Sequence, residues 1–286
     1  MNYLGIDAGA SATKWSLVSR AGLVDSGTLP AMDGHLNRQS SLARMHEVLD
    51  HISTSIQAHE VTNIYMGITG INHDGKIQAL LKEKFGCESR VVSDIELAFH
   101  ANFETGTGIL LYAGTGSIAF AIDSNGIKHQ IGGWGYLLGD EGAGYWLGRE
   151  ALRHTLFALE SKDSIQEFPL AQSILNEIQA DDWDGIKAFV YSQERSQIAA
   201  LSKIVDKLAS DGDKSSIEIM RKAAGYLADL VQRTDKSLGT SQYPVTFTGG
   251  ISQSKLIGEE LEKIFEKRFK VSAVDISLRA AELSRK

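Results

Sequence analysis

The feature that most constrains the fold is a pattern that occurs twice: an apolar strand, a turn of small residues and a second strand. The two copies read YLGIDAGASATKWSLV (Tyr3–Val18) and GILLYAGTGSIAFAI (Gly108–Ile122). They lie about 105 residues apart, a spacing typical of a duplicated domain. Hairpins rich in small residues resemble one another, so a chance likeness stays open. We predict two domains, residues 1–106 and 107–286, with the last helix packing back on the first domain.

The hydrophobic pattern of the rest of the chain predicts an α/β protein. Apolar residues at helical spacing predict a helix over residues 38–58, and short apolar runs predict strands over 63–68 and 90–93. After the second copy, the pattern becomes mainly helical. The further predicted elements are a strand over 22–29, helices over 75–85, 95–103, 144–160, 170–179, 184–208, 215–237 and 254–269, and a strand over 244–248.

Composition excludes several classes of function. The net charge of −7 argues against nucleic acid or a membrane surface as a general partner. It does not exclude an anionic ligand, because backbone dipoles can bind phosphate within an acidic protein. Cys87 is the single cysteine, which excludes an internal disulfide and a Cys-based zinc site. The N-terminus lacks the features of a signal peptide, and no apolar run approaches the ~18 residues of a membrane span. We therefore expect a cytoplasmic protein.

One phosphate-binding motif is present only in part. The segment GINHDGKI, residues 70–77, follows a predicted strand, opens a predicted helix and matches G-x-x-x-x-G-K. A P-loop requires Ser or Thr after the lysine to hold Mg²⁺, and Ile77 occupies that position. We therefore reject a P-loop and interpret this segment as an ordinary helix start.

The turn of the first copy has a composition suited to binding phosphate. In DAGASATK, Gly9 lets backbone N–H groups approach phosphate oxygens closely. Ser11 and Thr13 can add hydroxyl donors, and Lys14 adds a positive charge. Asp7, at the end of the first strand, could hold Mg²⁺ through water.

The second copy offers similar chemistry in AGTGS, at Gly114, Thr115, Gly116 and Ser117. Further along the chain, Gly249 and Gly250 of FTGG would leave room for a flat adenosine. Each turn alone is a weak signal, because tight hairpins use Gly and Ser for turn geometry. Taken together, two such turns facing each other would bind a triphosphate.

The stretch GGWGYLLGDEGAGYWLGRE, from Gly132 to Glu150, combines seven glycines with an adjacent Asp140–Glu141 pair and four aromatic rings. Such backbone freedom beside rigid rings predicts a turn-rich wall around a polar ligand. We interpret Asp140 as an acceptor for ligand hydroxyls and Glu141 as a supporting group. We interpret Trp134 and Trp146 as core residues.

These segments together resemble the superfamily of acetate and sugar kinases, heat-shock-70 proteins and actin. Within it, the chain resembles the BadF/BadG/BcrA/BcrD-type ATPases and the related N-acetylglucosamine kinases, through DAGASATK, VVSD, AGTGS, GGWGYLLGDEGAGYWLG and FTGG. The resemblance implies two ribonuclease-H-like (actin-like) domains with a cleft between them. It also implies ATP and Mg²⁺ as cofactors and a homodimer. The implied reaction is phosphorylation of an amino sugar, N-acetylglucosamine or glucosamine, at its 6-hydroxyl.

The resemblance also implies roles by position. Asp94, which ends RVVSD, falls where these kinases place the general base, and Asp140 falls where they place a sugar-binding carboxylate. Other positions near the sugar are His35, Asn37, Thr69, Gly70 and Gly135. From the residues alone, Asp94 can also be read as the N-cap of the following helix, and the two roles are compatible.

Two departures from the family pattern leave alternatives open. The T-K ending of DAGASATK resembles the activators of 2-hydroxyacyl-CoA dehydratases, which hold an iron–sulfur cluster with two cysteines from each subunit. With Cys87 alone, that alternative is weak. Arg279 in DISLRAAEL stands where a small helix face near adenosine is expected. The remaining alternative is a non-catalytic sugar or nucleotide sensor, and the joint presence of Asp7, Asp94 and Asp140 speaks against it.

Overall fold

The protein is described here by a computed structural model that covers residues 1–161 and 164–285. The chain divides into two compact units. The first comprises residues 1–104 and the C-terminal segment from Ala273 onward, and the second comprises residues 105–272. The C-terminal segment therefore belongs to the same unit as the N-terminus.

The first unit is built on a five-stranded mixed sheet. Its strands are β1 (Asn2–Ala8), β2 (Thr13–Ser19), β3 (Gly22–Leu29), β4 (Val61–Ile68) and β5 (Glu88–Ser93), in the spatial order β3-β2-β1-β4-β5. The first three strands form an antiparallel meander, and β4 and β5 continue the sheet parallel to β1. The helices of residues 1–104 are α1 (Gln39–Ser55), α2 (Lys76–Phe85) and α3 (Asp94–Asn102).

The second unit contains a sheet of the same design. Its strands are β6 (Ile109–Ala113), β7 (Ser117–Ile122), β8 (Lys128–Gly132), β9 (Val245–Thr248) and β10 (Phe269–Val271), in the order β10-β9-β6-β7-β8. Its described helices are α4 (Gly144–Glu160), α5 (Pro169–Ile178), α6 (Trp183–Ser192), α7 (Arg195–Ala200), α8 (Ser202–Ser210), α9 (Lys214–Leu238) and α10 (Lys255–Phe265). A last helix, α11 (Ile276–Leu283), returns to the first unit.

Both sheets thus consist of an antiparallel meander followed by two parallel strands, in matching order. This identity of strand order confirms the predicted duplication. It also means that β1 and β6 occupy equivalent positions, and that the turn after each of them belongs to an equivalent edge of its sheet.

The core of the first unit lies on both faces of its sheet. Leu4, Ile6 and Ala8 of β1 are fully buried in one cluster, which also contains side chains of α1 and α2. Between them, Gly5 faces α11 so closely that a Cβ would collide with the Ser277 carbonyl oxygen. Because successive strand residues point to opposite faces, this alternation lets helices cover both sides. Glycine at position 5 is what permits α11 to reach the strand backbone.

Two helix predictions are wrong. The predicted helix over 184–208 is divided into α6, α7 and α8, because Glu194 and Gln197 form a capping box that starts a new helix. The predicted helix over 254–269 ends at Phe265. Glu266 then takes a positive φ of 50°, which a continuous helix cannot contain, and the strand β10 follows.

Candidate active site

Three parallel strands of the first unit end at one edge of its sheet. In the strand register, Ala8 pairs with Ile68, and Ile68 pairs with Ser93. The residues that follow, Gly9, Thr69 and Asp94, therefore emerge side by side, and the Thr69 N–H donates to the Ala8 carbonyl at 3.0 Å. Ligands of open α/β sheets bind at the carboxyl ends of the strands. The sheet itself thus brings these predicted site residues together.

Asp7 and Asp94 form an electrostatically coupled pair at this edge. Burial, followed by the nearby charge of Asp94, raises the pKa of Asp7 to about 7, while Lys14 acts in the opposite direction. Burial also raises the pKa of Asp94, although its Oδ1 accepts the Ile95 N–H at 2.9 Å. Two carboxylates in a poorly solvated site favour a shared proton or a bound cation.

The structure settles which residue caps α3. Ser93 is the N-cap, and its Oγ accepts the Glu96 N–H at 3.2 Å. Asp94 is the first helical residue, so the interpretation of Asp94 as the N-cap is wrong. The Asp94 carboxylate is half-buried, it accepts the Ile95 N–H in the first turn of α3, and its charge acts on Asp7.

The predicted sugar-binding residues of the first unit form one packed loop cluster. The Gly34 N–H donates to the Thr69 carbonyl at 2.9 Å, and a Cβ on Gly34 would lie 2.8 Å from the Gly70 carbonyl oxygen. The His35 ring lies over Gly70, because a Cβ added to Gly70 would be 2.6 Å from the Nε2 atom of His35. Asn37 is exposed two residues after His35. His35, Thr69 and Gly70 are therefore neighbours, as a shared role requires.

The first glycine turn is open at its tip. The Gly9 N–H donates to the Ala12 carbonyl at 3.1 Å, and Ser11 and Lys14 are exposed. Lys14 pairs with Asp7 in the β1–β2 register, so the lysine stands beside the carboxylate pair. The prediction that Thr13 offers an accessible hydroxyl donor is wrong. Thr13 is fully buried, and its hydroxyl has no partner among the described residues.

The second glycine turn is joined to the start of α4. The first N–H groups of this helix, those of Gly144 and Tyr145, donate to the carbonyls of Gly114 and Thr115 at 2.8 and 3.2 Å. The Ser117 hydroxyl donates to the Glu141 carbonyl at 2.8 Å. The sequence stretch 132–150 thus folds against the turn 114–117.

The predicted Gly249–Gly250 pair lies beside the same turn. Gly249 has a φ of 96°, and a Cβ there would collide with the Ala113 carbonyl oxygen. A Cβ on Gly250 would meet no heavy atom within 4 Å. Gly249 is therefore required by close packing of β9 on the end of β6, whereas Gly250 borders open space. The second unit brings residues 114–117, 249 and 250 together.

Asp140 belongs to this second cluster. It adopts a left-handed φ of 63°, and a Cβ on Gly116 would lie 2.6 Å from its Oδ2 atom. Its Oδ1 accepts the Ser117 N–H at 3.3 Å. Burial raises the pKa of Asp140, while this hydrogen bond and the charge of Arg195 lower it. Asp140 therefore lies at the predicted phosphate-binding turn, where the sequence alone did not place it.

The ring of Trp134, in the loop before Asp140, points outward. Trp134 is 61% exposed and Arg233 stacks 5.4 Å from its ring centroid, so the prediction that Trp134 is a core residue is wrong. Positive φ angles at Gly133 and Gly135 turn the chain toward solvent here. Trp146, in α4, is 5% exposed, and its predicted core position is confirmed.

Two neighbours of the candidate site were missed in the sequence. Asp275 caps α11, and its charge acts on Asp7. Arg195 stands 5.4 Å from the Tyr136 ring centroid and acts on Asp140. The helix-start pattern D-I-S-L marks the Asp275 cap, but no local pattern connects Arg195 with Asp140, because α7 reaches it only through tertiary packing.

The C-terminal helix retains a small packing face despite Arg279. Its buried residues are Ser277, Ala280 and Ala281, while Arg279 is exposed and pairs with Glu282 at 2.9 Å. The arginine therefore lies on the opposite face from the one packed on β1.

Within the described residues, no group of three or more His, Cys, Asp or Glu side chains is arranged to hold a metal ion. Among the helices of the same residues, none combines the length and hydropathy needed to span a bilayer.

These features define a class of α/β protein with two repeated sheets, each carrying a glycine turn at its strand ends and a carboxylate close to that turn. The sequence profile of the BadF/BadG/BcrA/BcrD ATPase family matches residues 4–281. The chain belongs to this family, and the resemblance seen in its motifs is confirmed.

Individual relatives agree with this assignment. The chain is 28% identical to an N-acetyl-D-glucosamine kinase of Dictyostelium discoideum, over 92% of this chain and 90% of that one. It is 27% identical to an N-acetylmuramic acid/N-acetylglucosamine kinase of Clostridium acetobutylicum, over 63% and 60% of the two chains. A solved structure from Chromobacterium violaceum, of a protein proposed to be an N-acetylglucosamine kinase, matches with a TM-score of 0.78 and 23% identity, covering 99% and 98%. The predicted two-domain fold is confirmed by this match.

Proposed function

We propose that the protein is an ATP-dependent kinase that phosphorylates a hydroxyl of an amino sugar, N-acetylglucosamine or glucosamine, at the 6-position. The observation that carries the proposal is the pairing of Asp94 with Asp7 at the strand ends of the first unit. The names of the Dictyostelium and Clostridium relatives support an amino sugar as acceptor. Family membership supports ATP as the phosphoryl donor.

Asp94 is assigned as the general base. Phosphoryl transfer depends mainly on positioning and charge neutralisation, and a carboxylate within reach of the acceptor hydroxyl can orient it and take its proton. The raised pKa of Asp94 makes its carboxylate a stronger base near neutral pH than a solvated aspartate. The transferred proton would reside on Asp94 until the product leaves.

The nucleotide is assigned to the two glycine turns. In the first unit, Gly9, Ser11 and Lys14 would contact phosphate oxygens, and Ser11 and Lys14 are exposed. Thr13 is fully buried and is left out of this assignment. In the second unit, the residues assigned are Gly114, Thr115, Gly116 and Ser117, with Gly249 and Gly250 at the adenosine. The absence of side chains at the glycines lets backbone N–H groups approach the ligand.

The donor set fits a magnesium ion. Mg²⁺ in phosphoryl-transfer sites is usually held by one or two carboxylates together with phosphates and water, so a cage of three protein ligands is not required. Asp7, with a pKa of about 7 beside a second carboxylate, would gain from a nearby cation. Asp7 is assigned as the residue that holds it, and the ion would supply neutralisation of phosphate charge.

The amino sugar is assigned to two groups of residues. In the first unit these are His35, Asn37, Thr69 and Gly70, of which three form the packed loop cluster described above. In the second unit they are Gly135 and Asp140, whose carboxylate would accept hydrogen bonds from sugar hydroxyls. A buried carboxylate with one backbone donor retains acceptor capacity for further donors.

A sugar panel tests the proposal. Purified protein is incubated with Mg-ATP and N-acetylglucosamine, glucosamine or glucose, and ADP release is measured, with ³¹P NMR used to locate the phosphate on the product. We expect ADP release with an amino sugar and a 6-phosphate product. Sugar binding without ADP release would favour a non-catalytic sensor. Binding of nucleotide alone would favour an activator-type ATPase.

We also propose that the protein acts in the cytoplasm as a homodimer. The family resemblance supports the dimer, and dependence on ATP supports the location. Light scattering coupled to gel filtration measures the mass in solution, and a monomer at micromolar concentration would contradict the assembly proposed here.

A further inference from the structure

Helix α9, the longest of the described helices, presents one continuous side to solvent. Its buried side packs on the sheet of the second unit and on α8 and α10. On the outer side, exposed residues recur every three or four positions, as in other amphipathic helices. We call this side the α9 face. It consists of Lys214, Glu218, Arg221, Lys222, Gly225, Tyr226, Asp229, Gln232 and Lys236.

The centre of the α9 face is a glycine that packing within the chain does not explain. In α4, Gly148 is required because a Cβ there would collide with the Ile198 carbonyl oxygen. A Cβ on Gly225 would instead enter open space, and α9 continues through this residue without a left-handed turn. Glycine is, after proline, the least favourable residue in a helix interior. Close approach of a second backbone from outside would explain it.

The charges of the α9 face suit an antiparallel pairing of two copies of the helix. If a two-fold axis passes opposite Gly225, positions equally far before and after that residue face each other. Arg221 and Lys222 of one copy then face Asp229 of the second copy, and the same contacts occur again on the other side of the axis. A parallel pairing would bring like charges together, which is unfavourable.

These side chains already form ion pairs within one chain. Arg221 lies 3.4 Å from Glu260, and Asp229 accepts the Nε–H of Arg233 at 2.8 Å. Exposed pairs of this kind contribute little to stability and can be exchanged for others. The charges of the α9 face are therefore free to pair across an interface.

The two halves of the α9 face also differ in shape. At the centre and beside the C-terminal half, exposed rings protrude: Tyr226 is 46% exposed, and Trp134, which stacks on Arg233, is 61% exposed. A two-fold axis at Gly225 brings this half of each copy onto the N-terminal half of the other. That half is recessed. It borders an open groove of about 600 Å³ lined by Lys214, Ile217, Glu218, Arg221 and Lys222.

We propose that the α9 face is an interface between two copies of this chain, whose α9 helices cross antiparallel at Gly225. The inference rests on the proposed function in its homodimer alone, and it names the surface that forms the dimer. A stable interface buries about 1,200–2,000 Å² in total. The rings of Tyr226 and Trp134 extend the contact beyond the helix pair. The residues assigned to ATP and sugar do not belong to the α9 face.

A disulfide across the axis tests the crossing point. Gly225→Cys would place the two thiols opposite each other, where the Cα atoms can approach to the roughly 4.4–6.8 Å that a disulfide requires. The matched control is Lys236→Cys on the same face, about 16 Å farther along the helix, so that its two copies would lie about 33 Å apart. Cys87 is buried, and the unaltered protein controls for it. Non-reducing gels after mild oxidation measure the covalent dimer.

We expect Gly225→Cys to form a covalent dimer in high yield, while Lys236→Cys and the unaltered protein remain monomeric on the gel. Cysteine is a better helix former than glycine, so the substitution should not unfold α9. Thermal unfolding checks that each variant is folded.

A charge exchange provides an independent measurement. Asp229→Arg should raise the Kd of the dimer by roughly tenfold or more, because a repulsive contact replaces an attractive one at two symmetric places. Combining Asp229→Arg with Arg221→Asp and Lys222→Asp reverses every charge in this contact and should restore most of the affinity. Analytical ultracentrifugation measures each Kd.

Three results would overturn the inference. A monomer in light scattering rejects this interface together with the homodimer. A dimer in which Gly225→Cys forms no more covalent product than Lys236→Cys rejects the α9 face and leaves the homodimer standing. A dimer whose Kd is unchanged by Asp229→Arg also places the interface elsewhere. ADP release with the sugar panel is measured separately, so a failure of the kinase proposal is distinguished from all three.

Discussion

The two units carry different chemistry on the same strand order. At the end of β1, the first unit places Asp7 next to Asp94 and Lys14. At the equivalent end of β6, the second unit places the uncharged turn 114–117, bonded to the first N–H groups of α4. The shared topology thus decides where the strand-end cluster of each unit forms, and the side chains decide what each cluster can do.

The carboxylates of the two units also differ in their surroundings. Asp7 faces a second carboxylate, so a proton or a cation stabilises it. Burial raises the pKa of Asp140 as well, but Asp140 faces the Ser117 N–H and the positive charge of Arg195, both of which favour its ionised form. This contrast suggests a division of roles, with proton and metal chemistry in the first unit and hydroxyl binding in the second.

The largest expected effect comes from replacing one aspartate in each unit with asparagine. Asp94→Asn should lower kcat by about 10²- to 10⁴-fold, because the amide cannot accept the hydroxyl proton, while the Kd of the sugar changes little. Asp140→Asn should mainly raise the Kd of the sugar. Steady-state kinetics and calorimetry measure both quantities. Equal losses of binding and rate in Asp94→Asn would mean that its role is misassigned.

The second effect contrasts Gly249 with two other glycines: Gly250, which also lies beside the second turn, and Gly9 in the first turn. Gly249→Ala combines a positive φ with a backbone collision, and should reduce the free energy of unfolding by about 2–4 kcal/mol. Gly250→Ala and Gly9→Ala meet no such obstacle, since a Cβ at Gly9 would lie 3.7 Å from the Ala12 oxygen. Both should stay within about 1 kcal/mol of the unaltered protein.

Urea unfolding provides these free energies, and nucleotide titration adds a second measurement. Because Gly9 is assigned to phosphate contact, Gly9→Ala should weaken ATP binding at nearly unchanged stability. Comparable destabilisation by Gly249→Ala and Gly250→Ala would show that the close packing of β9 on β6 does not constrain the second turn.

Much of this arrangement is predictable from sequence, because the repeated motif has strong local signals. Apolar strands on either side of Gly9 and Gly116 predict both hairpins, and the period of the helices predicts α1 and α9. RVVSD and DAGASATK predict two acids at strand ends, and parallel strands then align those ends.

Other features have no local signal. The break at Glu194 depends on a capping box within a run of good helix formers, and β10 is a strand of only three residues. The contact of Asp140 with Gly116 and the place of Arg195 depend on packing between segments that are distant in sequence. The outward position of Trp134 follows from the φ angles of its flanking glycines, which composition does not reveal.

A third effect concerns the stability cost of the acid pair. The folded-state pKa of Asp7 is about 7, whereas an unfolded aspartate titrates near ~3.9. Between those values the folded state holds a proton that the unfolded state lacks, so the free energy of unfolding falls as pH rises through this window. Asp7→Asn removes that loss, and should be more stable than the unaltered protein at pH 8 by about 1–4 kcal/mol.

Thermal and urea unfolding from pH 4 to 8 measure this difference, which should shrink toward pH 4. Asp25→Asn, an exposed change of the same charge in β3, is the control and should have little effect. Mg-ATP should stabilise the unaltered protein at pH 8 more than it stabilises Asp7→Asn. If Asp7→Asn is less stable than the unaltered protein at pH 8, the ionised Asp7 carboxylate stabilises the fold, contrary to what its burial indicates.

The smallest effect distinguishes the role of Ser93, the N-cap of α3, in stability from the role of the following residue, Asp94, in catalysis. Ser93→Ala removes the bond to the Glu96 N–H and should cost about 1 kcal/mol of stability. Asp182→Ala removes the equivalent cap of α6 in the second unit, where Asp182 accepts the Gly185 N–H at 2.9 Å, and should cost a similar amount. Urea unfolding measures both.

Kinetics then distinguish the two caps. Because Asp94 directly follows Ser93, looser anchoring of α3 should displace the carboxylate and lower kcat in Ser93→Ala, while Asp182→Ala leaves kcat unchanged. Equal kcat values in the two variants would mean that the strand end and Asp7, rather than the cap, hold Asp94 in place. The first unit would then position its base as the second unit positions Asp140, through contacts with the glycine turn rather than through the helix.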